Sequence, residues 1–232
     1  MRNRFARFLV NLIIHLTLKV EVINIENLPA EGGYIAASNH LGRLDVALVY
    51  YFLRRKDVTI LAAEKYKKYA IWRWFVKALD SLFVDRYGAD LVTLRDALGR
   101  LKRGGVLVLA PEGTRSKDEA LLEARPGVSY LAARAGAIVV PVGVTGTEDR
   151  LVKANLLRLR RSKVLVRVGK PFTLPPLHGG DRDAQLNADT EELMCQIAAL
   201  LPESHRGFYA NHPRLQQLLN GQAGSEKVSL PG

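Results

Sequence analysis

The residues best equipped for chemistry sit in the stretch AASNHLGRLDV, positions 36–46, where His40 and Asp45 follow an apolar run and flank a glycine. A neutral imidazole takes a proton from a hydroxyl near pH 7. It does so better when a carboxylate holds its other nitrogen, fixing the tautomer and stabilising the imidazolium. On a continuous helix, two residues at this spacing are rotated by about 140°, which sends the side chains apart. The pairing therefore requires a turn, with Asp45 near a helix start, and Gly42 permits one. The same residues also describe a helix-capping turn with a hydrogen-bonded histidine, so the pattern alone leaves both readings open.

A second cluster is LVLAPEGTRS, positions 107–116. An apolar run meets Pro111 and then Glu112, Gly113 and Arg115. Gly113 lets the backbone approach a ligand closely, and the planar fork of Arg115 suits a phosphate. Glu112 accepts from a substrate hydroxyl or orients the arginine. The alternative is a turn with a surface ion pair. FVDR at 83–86 adds Arg86, which alone reads as a structural ion-pair residue.

Apolar runs at 20–25, 34–37, 58–62, 83–84, 106–110, 138–144 and 164–168 predict strands. Helical patterns are predicted at 43–54, 65–79, 89–102, 128–135 and 184–201; Leu91, Leu94, Leu98 and Leu101 make one apolar face. The alternation predicts a single α/β domain with a largely parallel central sheet flanked by helices. In such sheets chemistry sits beyond the carboxyl ends of strands, and both polar clusters follow predicted strands. The Pro/Gly-rich piece 171–180 reads as a linker. The segments expected are an interfacial helix at 1–19, the main domain at 20–175, a helical extension at 176–211 and a mobile tail at 212–232.

A chain of 232 residues with 48% apolar and 25% charged residues buries a core of its own rather than remaining disordered. The single cysteine, Cys195, excludes an internal disulfide and a cysteine-built zinc site, and fits a reducing compartment. A net charge of +11 suits an anionic partner: nucleic acid, an anionic membrane, or a phosphate-bearing substrate or carrier. The apolar run at 8–18, broken by Asn11, His15 and Thr17, falls short of the roughly 20 residues that span a bilayer. It follows Arg2, Arg4 and Arg7, and reads as an amphipathic interfacial helix; a helix docked on the core is the alternative. Residues 65–77, KYKKYAIWRWFVK, mix the Lys, Tyr and Trp side chains favoured at bilayer interfaces, and 151–170 carries basic residues with no acidic one.

Taken together, NHLGRLD at 39–45, FVDR at 83–86, PEGTRS at 111–116 and VVPVGVTGT at 139–147 resemble, in order and approximate spacing, the four blocks of the glycerolipid acyltransferases of the 1-acyl-glycerol-3-phosphate type. The resemblance covers about residues 20–170. It implies that His40 is the general base on the acceptor hydroxyl and Asp45 its orienting partner. Arg86, Glu112, Gly113, Thr114 and Arg115 fall to the acceptor and its phosphate, and Pro141 to the acyl-donor side. The chain departs from the family pattern at Glu64-Lys65-Tyr66, at Arg73, at 117–119 and at 124–127.

The activity expected on this resemblance is acyl transfer from a thioester, acyl-coenzyme A or acyl-carrier protein, to a lysophospholipid acceptor. The acceptor is foremost lysophosphatidic acid, with glycerol-3-phosphate or another lyso-acceptor as the alternative. A thioester is already activated, and no Gly-x-Ser-x-Gly elbow is present, so direct attack without a metal or bound cofactor is expected. A peripheral position on an anionic membrane surface, at the cytoplasmic face, follows from lipid substrates. The rival reading is a non-catalytic basic protein binding lipid or nucleic acid; no nucleic acid is expected, because no recognised binding motif occurs and aromatics are not spaced for base stacking.

Overall fold

The computed structural model describes residues 2–53, 55–85 and 90–228. In chain order the elements are α1 (Arg2–Thr17), β1 (Leu18–Ile23), β2 (Tyr34–Ser38), α2 (Asp45–Phe52), β3 (Val58–Ala63), α3 (Ala70–Ala78), β4 (Leu82–Val84) and α4 (Leu91–Lys102). Then come β5 (Val106–Leu109), α5 (Gly127–Ala135), β6 (Ile138–Thr145), α6 (Asp149–Leu157), β7 (Ser162–Val168), β8 (Phe172–Thr173), α7 (Arg182–Ala198) and α8 (Pro213–Val228).

One eight-stranded sheet runs β1-β7-β6-β2-β5-β3-β4, with β8 alongside β6. All pairings are parallel except those of β7 and β8 with β6. The expected α/β class and parallel core are what the chain adopts. Strand β5, VLVL, is buried throughout, as a strand covered on both faces must be. Its side chains alternate between two cores: Val106 and Val108 face the layer of α1, α2 and α6, while Leu107 and Leu109 face that of α4, α5, α7 and α8.

Helix α1 docks through Ala6, Val10 and Ile14, all buried, yet leaves Phe5, Phe8, Leu12, Ile13 and Leu16 exposed. It is apolar on both sides. Phe5 meets Trp74 of α3 edge-on, with ring centroids 6.4 Å apart. Among the described residues no helix is long and apolar enough to cross a membrane.

Two expectations need correction, and one element was not foreseen. The 171–180 piece is not only a connection: Phe172–Thr173 pairs with β6. Residues 149–157, given no element by the sequence, form α6. Where a mobile tail was expected, Pro213–Val228 is helical and Leu215 is fully buried in the core beside α7. Arg86 lies outside the described residues.

Candidate active site

Strands β2, β5 and β6 are adjacent and parallel, so their carboxyl ends open at one edge of the sheet. His40 follows β2, Glu112 follows β5, and Asp149 follows β6. The turn required between His40 and Asp45 is present. Asp45 is the first residue of α2, and its carboxylate reaches back over the turn. Oδ2 accepts from the Leu41 N–H at 2.8 Å and the Gly42 N–H at 2.9 Å, and stands 2.8 Å from His40 Nδ1. A carboxylate at this position makes Nδ1 the donor and leaves Nε2 with its lone pair. Nε2 has no hydrogen-bond partner among the described residues, and the histidine side chain is 23% exposed. A Cβ on Gly42 would collide with the Thr147 carbonyl oxygen, so only glycine lets this turn pack under the end of β6.

The other Asp45 oxygen, Oδ1, is buried without a partner. Asp45 also lines a cavity of about 10 Å³ under α2, shared with Ser38, Leu48, Val49, Phe52 and Val108 among others. The His40 peptide is held from a different strand. Its N–H donates to Glu112 Oε1 at 2.9 Å, and its carbonyl accepts from the Ser116 N–H at 3.0 Å. Asn39, just before it, pairs its side-chain amide with both backbone groups of Val144, each at 2.8 Å, extending the sheet one residue past β2.

Glu112 was expected on the acceptor, but in the structure both of its oxygens hold backbone. Oε2 accepts from the Leu122 N–H at 2.9 Å, as Oε1 does from His40, and the residue is 4% exposed. It fastens the His40 peptide to the loop after β5. Burial pushes its carboxyl up from 4.5 to about 7, against backbone N–H donors from Leu122 and His40 that favour the charged form. Between these two values the native chain keeps a proton that the unfolded chain has lost. Stability therefore falls as pH rises from 4.5 to about 7, by up to about 3 kcal/mol. Urea unfolding of the parent and Glu112→Gln across that window is expected to show the fall only in the parent; equal slopes would count against it.

The remaining expected residues divide. Gly113 takes a left-handed φ of +66°, and its N–H closes a turn on the Ala110 carbonyl at 2.9 Å. Thr114 is exposed at the tip. Arg115 donates through Nη1 to Asp149 Oδ2 at 2.6 Å, leaving Nε and Nη2 without a hydrogen-bond partner among the described residues. Pro141 is not on these loops. It lies in β6 opposite Ala37, where its carbonyl accepts from Gly169 at 2.8 Å.

Two residues escaped the sequence reading. Asp149 holds Arg115 and also accepts from the Arg43 N–H at 2.9 Å, tying the first polar turn to the second. Asn39 carries the sheet into the histidine loop. The only sign of either was its place inside or beside a recognised block. Among the described residues no three His, Cys, Asp or Glu side chains stand where they share a metal ion. A second meeting of Cys and His exists: Cys195 Sγ is 3.2 Å from His212 Nδ1. That thiol is fully buried, and burial pushes it up to about 11, so it is not a poised nucleophile.

A model of the Acyltransferase family matches residues 19–145. The chain is 28% identical over 191 residues to the 1-acyl-sn-glycerol-3-phosphate acyltransferase of Escherichia coli (strain K12), covering 79% of this chain and 74% of that one. It is 24% identical over 197 residues to the Bacillus subtilis (strain 168) enzyme of the same name, covering 85% and 96%. It is 25% identical over 199 residues to the chloroplastic LPAT1 of Arabidopsis thaliana, covering 80% of this chain but only about half, 52%, of that longer protein. The crystal structure of the 1-acyl-sn-glycerophosphate acyltransferase PlsC from Thermotoga maritima superposes with a TM-score of 0.65 at 25% identity, covering 85% of this chain and 78% of that one. With the family model spanning more than half of its 232 residues and a likeness to PlsC that extends over most of the fold, this chain belongs to the acyltransferase family.

Proposed function

We propose that the protein transfers a fatty acyl chain from a thioester to the free hydroxyl of 1-acyl-glycerol-3-phosphate, giving phosphatidic acid. The observation that carries this is the His40–Asp45 pair, held at 2.8 Å with Nε2 turned away from the carboxylate and unpartnered among the described residues. The names of the relatives supply the acceptor and the acyl chemistry.

In this reading Nε2 takes the hydroxyl proton as the oxygen attacks the thioester carbonyl, and the carbon–sulfur bond breaks as the tetrahedral intermediate collapses. The proton held on His40 then passes to the departing thiolate. Asp45 keeps the imidazole in the receptive tautomer and stabilises its charged form. Arg115 turns its two free donors to the acceptor phosphate while Asp149 fixes the guanidinium plane. Most of the rate then comes from positioning. The donor is acyl-coenzyme A or acyl-carrier protein, and a thioester needs neither a metal nor a covalent enzyme intermediate. Lipid substrates place the protein at a bilayer surface. The exposed Phe5, Phe8 and Leu16 of α1, with Tyr69, Ile71 and Trp72 at α3, provide an apolar face for it.

The test is formation of diacyl product, followed by mass, from each donor with lysophosphatidic acid, glycerol-3-phosphate and other lysophospholipids. Lysophosphatidic acid is expected to be the best acceptor. Arg115→Gln is expected to raise its KM by roughly 10- to 100-fold, because a hydrogen bond to a charged group is lost. Equal turnover of acceptors with and without a phosphate monoester would overturn the assignment.

A further inference from the structure

Helix α6 ends at an unusual residue. The Leu159 N–H donates to the Leu156 carbonyl at 3.0 Å and the Arg160 N–H to the Asn155 carbonyl at 2.9 Å, the paired bonds of a Schellman terminus. That motif places a left-handed residue after the cap, most often glycine. Here the position holds Leu159, with φ +53° and a side chain that is 98% exposed. A branched residue in this conformation is strained, and an apolar side chain in water offers no packing in return. Leu157 is 77% exposed, and Leu156 is exposed as well.

The residues between and beside these leucines are cations. Lys153, Arg158, Arg160, Arg161 and Lys163 are all exposed, and none pairs with a carboxylate among the described residues. Some arginines elsewhere are paired, as Arg115, Arg150 and Arg214 are with acidic side chains; here five cations stand together around exposed leucines. The turn is also anchored rather than loose. Asn155 Nδ2 donates to Ser162 Oγ at 2.9 Å, and Arg161 Nη1 to the His15 carbonyl at 3.3 Å. The second bond joins it to the end of α1, where Leu16 is exposed.

Its place in the fold matters. β7 runs antiparallel to β6, and Thr145 at the end of β6 faces Leu165. Ser162, where β7 begins, therefore lies beyond the sheet edge at which His40, Glu112 and Asp149 cluster. The turn overhangs the same end of the sheet as the site.

We infer that the 156–161 turn is a bilayer-insertion element. Leu157 and Leu159 enter the acyl boundary of an anionic phospholipid surface while Arg158, Arg160 and Arg161 bind its phosphates. The purpose of this contact, delivery of a lipid acceptor to His40, rests on the function proposed above; the contact itself is measured without turnover.

The experiment is co-sedimentation of the full chain with vesicles of phosphatidylcholine alone and of phosphatidylcholine with phosphatidylglycerol. The parent is expected to favour the anionic vesicles, with binding that weakens as salt rises. Leu159→Gly is expected to lower the partition coefficient roughly 10-fold. Arg158→Gln and Arg160→Gln are each expected to lower it roughly fivefold, on anionic vesicles only. The melting temperature of Leu159→Gly is expected to hold or rise, since glycine takes this φ without strain. As an independent readout, Leu159→Cys carrying an environment-sensitive fluorophore is expected to shift to the blue on anionic vesicles; Cys195 is buried and stays unlabelled. Parent-like partition of Leu159→Gly, absence of the spectral shift, or a parent that binds neither vesicle overturns the inference. So does a turn that captures an acidic protein while ignoring vesicles. Turnover of a short-chain, water-soluble lysophosphatidate by Leu159→Gly is expected to match the parent. A parent inactive toward every acceptor would sink the functional reading and leave the vesicle result standing.

Discussion

His40→Ala is expected to lower turnover at saturating substrates by about 100-fold or more, reaching about 10,000-fold if proton transfer governs the step. The acceptor KM is expected to change little, because in the proposed reaction the imidazole acts on the hydroxyl proton and Arg115 on the phosphate. The fold is expected to survive. Removing the ring leaves Asp45 Oδ2 with two backbone donors, Leu41 and Gly42, so the buried carboxylate is not orphaned. Single-turnover consumption of the thioester, run beside a thermal melt of both proteins, measures the effect. Turnover within tenfold of the parent, with an intact melt, would remove His40 from the role of base.

Asp45→Asn is expected to cost between about 100- and 10,000-fold in turnover by a different route. Three donors converge on Oδ2: His40 Nδ1, Leu41 N–H and Gly42 N–H. An asparagine must present its carbonyl oxygen there, because an NH₂ would face three N–H groups. Its NH₂ then takes the place of Oδ1, which is buried and has no acceptor to offer it. Tautomer and geometry survive at a stability cost of about 1–3 kcal/mol for the unsatisfied amide. What disappears is the negative charge that favours the imidazolium. Single-turnover rates, taken beside a thermal melt that remains a single transition, separate this from simple unfolding. A parent-like rate would make the pair a structural capping turn, the alternative open at the level of sequence.

The fold was legible because strands covered on both faces read as short apolar runs, and β5 and β6 are such runs bounded by glycine and proline. Helix α6 was not. Val152 is its only buried side chain, so residues 149–157 carry almost no periodic signal. β8 is two residues long, too short for any pattern, and α8 is mostly polar with glycines in its second half. The His40–Asp45 pair was legible as a possibility because the two residues are local and the glycine between them permits the turn that pairing requires. For Glu112 the loop was legible and the role was not. Whether a carboxylate faces a ligand or its own backbone depends on burial, and the partners His40 and Leu122 lie 72 residues before it and 10 after it. Asp149 and Asn39 depend on partners still further from view, such as Val144, 105 residues from Asn39.

Those separations carry a consequence for folding. The histidine loop is fastened by Glu112 and Ser116 from beyond β5, and by Val144 and Thr147 from the end of β6. Contacts of such span form only after distant segments have closed on one another. His40 and Asp45 are near neighbours in any conformation of the chain, but near neighbours are not a base. A nascent chain that ends before β6 carries both residues without the clamp that aims them. Loss of β6 would remove the Val144 and Thr147 contacts that hold the histidine loop, although α2 itself is local. The proposed acyl transfer is thereby conditional on a finished tertiary structure, and an incompletely folded copy holds the pair without aiming it.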